Sequence, residues 1–207
     1  MARKTKEDTE KTYHALLDAA SRLFIRQGVA RTTLKDIAEE AGMTRGAVYW
    51  HFDDKDAVIK ALWERNARAG HDAFIEQLQQ IDRHNASGHF RQLIRDIVRT
   101  VVNDHELSTV LRIIIHNVEF TDDKSELQQF LLEKKGILFD AMVTAFQQLI
   151  NQHAVKVDMT AELLAHGLIA YIHGLIEIYL KPGPQSLDLG RHSDELVNMF
   201  LNSMLVD

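Results

Sequence analysis

Apolar residues recur at helical spacing along almost the whole chain. Residues 88–102 carry Phe90, Leu93, Ile94, Ile97, Val98 and Val101 at i, i+3, i+4, i+7, i+8 and i+11, the stripe of an amphipathic helix with one face on a core. Residues 124–152 repeat the spacing through Leu127, Phe130, Leu131, Leu138, Met142, Ala145 and Leu149. Residues 8–27 place Leu16, Leu17, Ala20, Leu23 and Phe24 on one face and stop at Gly28, a residue suited to a left-handed C-terminal cap. No run alternates polar and apolar positions as a strand would. The two prolines, Pro182 and Pro184, fall in "KPGPQS" (181–186), which reads as a loop, as does "NASG" (85–88). The pattern predicts an all-α protein of about nine helices, three short ones before residue 53 and longer ones after it.

Two C-terminal segments depart from simple amphipathicity. Over 160–180, Leu163, Leu164, Leu168, Ile169, Ile172, Leu175, Ile176 and Ile178 leave little polar face, while Gly167, Ala170 and Gly174 sit close to one line. The last segment, "DELVNMFLNSML", with Met199 and Phe200, is also broadly apolar. Helices of this kind must be covered on both sides. A homodimer in which each subunit contributes the pair to a four-helix interface accounts for both; a central helix buried within one subunit is the alternative.

Composition narrows the chemistry. The absence of cysteine removes disulfides, thiolate nucleophiles and Cys-based metal centres, and fits a reducing cytoplasm. The N-terminal "MARKTKEDTEKTYHALL" lacks the apolar core of a signal peptide, and the longest apolar run is broken by His166, His173 and Glu177, so no membrane partner is expected. Charge is uneven: residues 1–60 hold 11 Lys+Arg against 10 Asp+Glu, and residues 61–207 hold 13 against 20. A globally basic surface is absent, so any nucleic-acid reading must rest on local pattern.

That local pattern lies in "TLKDIAEEAGMTRGAVYWHF", residues 33–52. Thr33 is a helix N-cap with Asp36 three residues on, as in a capping box. Gly42 supplies a tight turn, and Thr44 caps a second helix whose inward face is Val48 and Phe52. Ala38, Gly42 and Val48, at offsets 0, +4 and +10, meet the steric demands of a helix–turn–helix. Arg45 and Tyr49, four apart, then share a different face, with Gly46 beside them permitting close approach to the backbone. A helix of this design enters a DNA major groove by its N-terminal end. Arg45 is suited to a guanine edge or a phosphate, Thr44 and Tyr49 to phosphates or thymine methyls, with Trp50 and His51 flanking the groove and Lys55 reaching a phosphate. Packing inside the small domain is the other reading of the aromatic residues, above all of Trp50.

"RTTLKDIAEEAGMTRGAVYWHFDDK" resembles the DNA-binding signature of the TetR family of bacterial repressors. Together with "MARKTKE" and "HNVEFTDD" it looks most like the AcrR/TtgR-type regulators of multidrug efflux pumps. The resemblance implies an N-terminal helix–turn–helix DNA-binding domain over 1–53 and a ligand-binding and dimerisation domain over 54–207. It implies DNA contacts from Thr33, Thr44, Arg45, Gly46, Tyr49, Trp50, His51 and Lys55, double-stranded operator DNA as partner, and no cofactor. It also implies a pocket among Trp63, Asn66, Val98, Leu111, Ile115, His116, Met142, Ile169, Ile172, His173 and Glu177. At His173 and Glu177 the chain departs from a well-known relative, which has an acid followed by an arginine there. A carboxylate in an apolar cavity favours hydrophobic, cationic drug-like guests, with Trp63 as a stacking partner; pairing of Glu177 with an arginine is the alternative.

An enzyme is not expected: GxSxG, GxGxxG, P-loop and HExxH motifs are all missing. His116 and Glu119 stand at i, i+3 in "HNVE", but no second pair of ligands accompanies them, so no metal is expected. A metal- or metabolite-responsive regulator, or a helical interaction module without DNA, are the competing classes.

Overall fold

The computed structural model describes residues 6–118, 125–181, 183 and 187–206. Its elements in chain order are α1 (Lys6–Gln27), α2 (Leu34–Glu40), α3 (Arg45–His51), α4 (Lys55–Asn66), α5 (Arg68–Gln79), α6 (Ala86–Asn103) and α7 (His105–Arg112). A π-helical turn (Ile113–Asn117) follows, then α8 (Glu126–Asn151), α9 (Ala161–Leu180) and α10 (Leu189–Met204). The only β pairing among the described residues is an isolated bridge between Val155 and Leu205. The all-α expectation is met; ten α-helices stand among the described residues, with breaks at Ala67 and Asp104, where neither glycine nor proline marks an end. The first helix is also long, 22 residues, against the short one expected.

Two compact units emerge: residues 1–67 with 109–130, and residues 68–108 with 131–207. In the first, α1 lays Leu16, Leu17, Ala20 and Phe24 against Ile37 and Ala38 of α2, Val48 of α3, and Val58, Ile59 and Leu62 of α4, all essentially closed to solvent. Gly28 ends α1 at φ +83°, its amide donating to the Phe24 carbonyl at 3.0 Å. Arg22 and Arg26 of α1 grip Glu40 at the end of α2, at 3.0 and 3.1 Å. The Val29 amide donates to the Asn117 carbonyl at 3.3 Å, tying the π-helical turn to the loop after α1.

The second unit is a helical bundle around Phe74, Leu78, Phe90, Ile94, Val98, Met142, Phe146, Leu149, Leu164, Leu168, Val197 and Leu201. Phe90 and Phe146 meet at 5.1 Å in its centre, both fully buried. The α6–α10 register is fixed by a polar ladder: Arg91 donates to Asn202, Arg95 to Asn198 and Arg99 to Asp194, each step four residues along both antiparallel helices.

Removing a buried aromatic leaves a void that the bundle cannot fully close. Phe146→Ala should therefore lower unfolding free energy by about 3–5 kcal/mol, read as an earlier midpoint at unchanged slope in urea unfolding. A loss below about 1 kcal/mol would mean that the two rings do not pack at the centre of the unit.

Candidate nucleic-acid interface

The helix–turn–helix is set by local chemistry. Thr33 caps α2 with a full capping box: its hydroxyl accepts from the Asp36 amide at 3.1 Å, and the Asp36 carboxylate accepts from the Thr33 amide at 2.8 Å. At the far end, Gly42 (φ +67°) donates to Glu39 O at 3.0 Å and Met43 to Ala38 O at 2.8 Å, the paired bonds of a Schellman turn. Thr44 then caps α3, accepting from the Ala47 amide at 3.3 Å.

Within α3 one side goes inward and the rest outward. Val48 is fully buried, and Phe52, which closes the helix in extended conformation, is nearly so. Arg45 and Gly46 are exposed, as are Tyr49 at 46% and Trp50 at 71%, so neither aromatic packs the domain core. The Arg45 guanidinium sits 5.3 Å from the Tyr49 ring centre, a cation–π pair that holds both over the same patch. A Cβ on Gly46 would meet nothing within 4 Å, so nothing inside the protein requires glycine there. Thr33 and Thr44 are exposed as well. His51 is half-buried, its ring 4.7 Å from Trp50 and 5.6 Å from Tyr13. Lys55 is drawn inward: its Nζ donates to the carbonyls of Val29 (2.7 Å) and Ala30 (3.2 Å), which leaves one of three donors for a phosphate.

The expected ligand-facing residues divide between the units. Trp63, Asn66, Leu111, Ile115 and His116 are half-buried in the first, with the Phe130 ring edge-on to Trp63 at 6.4 Å. Asn66 Nδ2 and Gln128 Oε1 are buried there without a hydrogen-bond partner. Gln128 and Phe130 were not singled out from the sequence; helical spacing assigns Phe130 to a core stripe, and nothing local marks Gln128. In the second unit, Val98 and Met142 are buried in the core, with Ile169 and Ile172 packed against it. His173 and Glu177 are exposed on α9, on the same stripe as Leu163, Gly167, Ala170 and Ile178. Gly174 is half-buried with open space above it, Gly167 would bring a Cβ to 3.6 Å from Phe200, and Met199 of α10 is 61% exposed. Arg3, Lys4 and the whole of "EFTDD" (119–123), Glu119 included, lie outside the described residues. Among the described residues no group of three His, Cys, Asp or Glu side chains is placed to hold a metal ion.

A capped three-helix head whose short third helix turns an arginine, a tyrosine and a tryptophan outward defines a helix–turn–helix DNA-binding regulator. Residues 16–62 match the family described as "Bacterial regulatory proteins, tetR family", and residues 85–206 match "MAATS-type transcriptional repressor, C-terminal region". The chain belongs to the TetR family. It is 34% identical over 192 residues to the HTH-type transcriptional regulator TtgR of Pseudomonas putida, covering 91% of this chain and 89% of that one. Among solved structures it is similar to NalD, the secondary repressor of the MexAB-OprM multidrug efflux pump in Pseudomonas aeruginosa (TM-score 0.85, 28% identity, 98% of this chain and 100% of that one). It is also similar to the SmeT–triclosan complex (TM-score 0.76, 26% identity, 95% of this chain and 93% of that one). The protein is thus a DNA-binding transcriptional regulator and not an enzyme.

Two carboxylates of the head have lowered pKa values. The Thr33 amide, and then its hydroxyl, hold Asp36 below the usual range, and the guanidiniums of Arg22 and then Arg26 hold Glu40 below it. A lowered folded-state value means that the contribution is present above the unfolded value and is lost as pH falls through the folded one. Glu40→Gln should therefore be less stable than the parent protein near neutral pH, with the gap closing as pH falls below about 4. Thermal unfolding across pH reads this directly; a gap that persists unchanged at pH about 2.5 would remove the ion pairs as its cause.

Proposed function

We propose that the protein is a repressor that binds a pseudo-palindromic operator as a homodimer in the cytoplasm and is released by hydrophobic, cationic drug-like ligands, controlling a multidrug efflux operon. The observation that carries the DNA contact is the split of α3, with Val48 buried and Arg45, Tyr49 and Trp50 turned outward. Thr33, Thr44, Gly46, His51 and the remaining donor of Lys55 complete the contact surface.

The dimer reading rests on α9 and α10. Leu163, Ile178 and Met199 expose 54%, 48% and 61% of their surface, next to Gly167 and Ala170. α9 has the length and hydropathy of a membrane span, but a bilayer would take His166, His173 and Glu177 into hydrocarbon, which a second protein copy does not. His173 and Glu177, exposed on that stripe, suit the subunit interface as well as they suit a ligand. The ligand reading is supported by the buried, unpartnered Asn66 Nδ2 and Gln128 Oε1, which offer one donor and one acceptor amid apolar surface. It is supported also by similarity to a triclosan complex and to an efflux-pump repressor.

Arg45→Ala and Tyr49→Ala should each weaken operator binding about 10- to 100-fold, as expected for loss of a groove contact, while leaving the helical content and melting temperature near those of the parent. A fluorescence-anisotropy titration measures it. Parent-like affinity in both variants would show that α3 does not read the DNA.

A further inference from the structure

Asn66 is the start of a path of hydrogen bonds and ring contacts that ends at α3. Its Oδ1 accepts from Arg65 Nε at 3.0 Å; because guanidinium nitrogens only donate, this bond fixes which amide atom is the oxygen and leaves Nδ2 as the buried orphan donor. The Arg65 side chain is 18% exposed, and its Nη1 lies 2.8 Å from Asp18 Oδ1 and 3.4 Å from the His14 carbonyl. Tyr13, the residue before His14, stacks on Phe52 at 5.4 Å with rings 27° apart, and meets His51 at 5.6 Å. His51 in turn meets Trp50 edge-on at 4.7 Å.

Building on the ligand-released DNA-binding reading, we propose that Arg65 is a positioning residue that couples the state of the Asn66 amide to the setting of the DNA-reading helix. A guanidinium is a rigid planar fork, and this one has acceptors from α4 on one edge and from α1 on the other. A guest that accepts from Asn66 Nδ2 turns the amide and with it Oδ1. The fork follows, because its Nε cannot keep that bond while Nη1 stays on Asp18 and His14. The strain enters α1 at His14, next to the ring that Tyr13 holds against Phe52 and His51. Lysine in place of Arg65 keeps the charge but has one nitrogen and no fork, so it breaks the path without removing a cation.

The test measures operator affinity of four proteins without any ligand: the parent, Asn66→Leu, Arg65→Lys and the double variant. Asn66→Leu removes the Oδ1 acceptor and should shift operator affinity about threefold or more in the parent background, and less than about twofold with Arg65→Lys, the non-additivity of residues acting as one unit. Equal shifts in both backgrounds would overturn the coupling. A second arm adds tetraphenylphosphonium or triclosan. In the parent, either should lower operator affinity about tenfold. In Arg65→Lys, calorimetry should show the compound still binding within about twofold while the operator affinity ratio falls towards one. A ratio kept at the parent's value would likewise overturn the role of Arg65. If neither compound affects the parent's operator binding, the ligand-release reading falls and the ligand-free comparison still decides the coupling. Should Arg65→Lys fold poorly, Asp18→Ala, which removes the Nη1 acceptor at a half-exposed position, takes its place with the same expected outcomes.

Discussion

Helix α3 is seven residues long, too short to hold itself together in water. What fixes it is the burial of Val48 in the apolar floor made by α1 and α2. Once Val48 and Phe52 are held inside, helical geometry leaves Arg45 and Tyr49 no place but the outer surface. The other devices of the head serve that one contact. The capping box at Thr33 starts α2, the left-handed Gly42 turns the chain, and the Thr44 cap starts α3 at the register that buries Val48. Lys55 and Arg65 then tie α4 back to the end of α1 and to its middle.

Charge explains why so much depends on so small a surface. The chain carries a net −6, so it cannot gather on DNA through a broad basic field. Binding has to come from a few well-placed groups, and doubling them across a twofold axis is the direct way to gain both affinity and sequence length read. The exposed apolar stripe of α9 and the exposed Met199 of α10 offer the surface on which such a pair can form.

The head was readable from sequence because its determinants are local. Caps act over three residues, turns over four, and a small residue at Ala38 or a branched one at Val48 declares itself by spacing. Elsewhere the determinants were long-range or silent. The helix breaks at Ala67 and Asp104 carry no glycine or proline. Lys55 reads as a free cation until its bonds to carbonyls some 25 residues away are seen. Arg65, whose Asp18 partner is 47 residues distant, gave no signal at all. α9 is apolar nearly all round, so spacing could not say which face goes in. The fold buries Leu164, Ala165, Leu168 and Leu175 and leaves Gly167, Ala170, His173 and Glu177 outside. The sequence reading divides the chain at residue 53 by motif, whereas the compact packing unit runs on through α4 and takes in residues 109–130.

Selection of bound duplexes from a random-sequence DNA pool by the purified protein tests the central claim most directly. The account predicts enrichment of a twofold-symmetric sequence whose half-sites lie about one helical turn or somewhat more apart, and loss of that enrichment when Arg45 is replaced by alanine. Enrichment of an asymmetric sequence, of none, or of the same sequence by Arg45→Ala would contradict it.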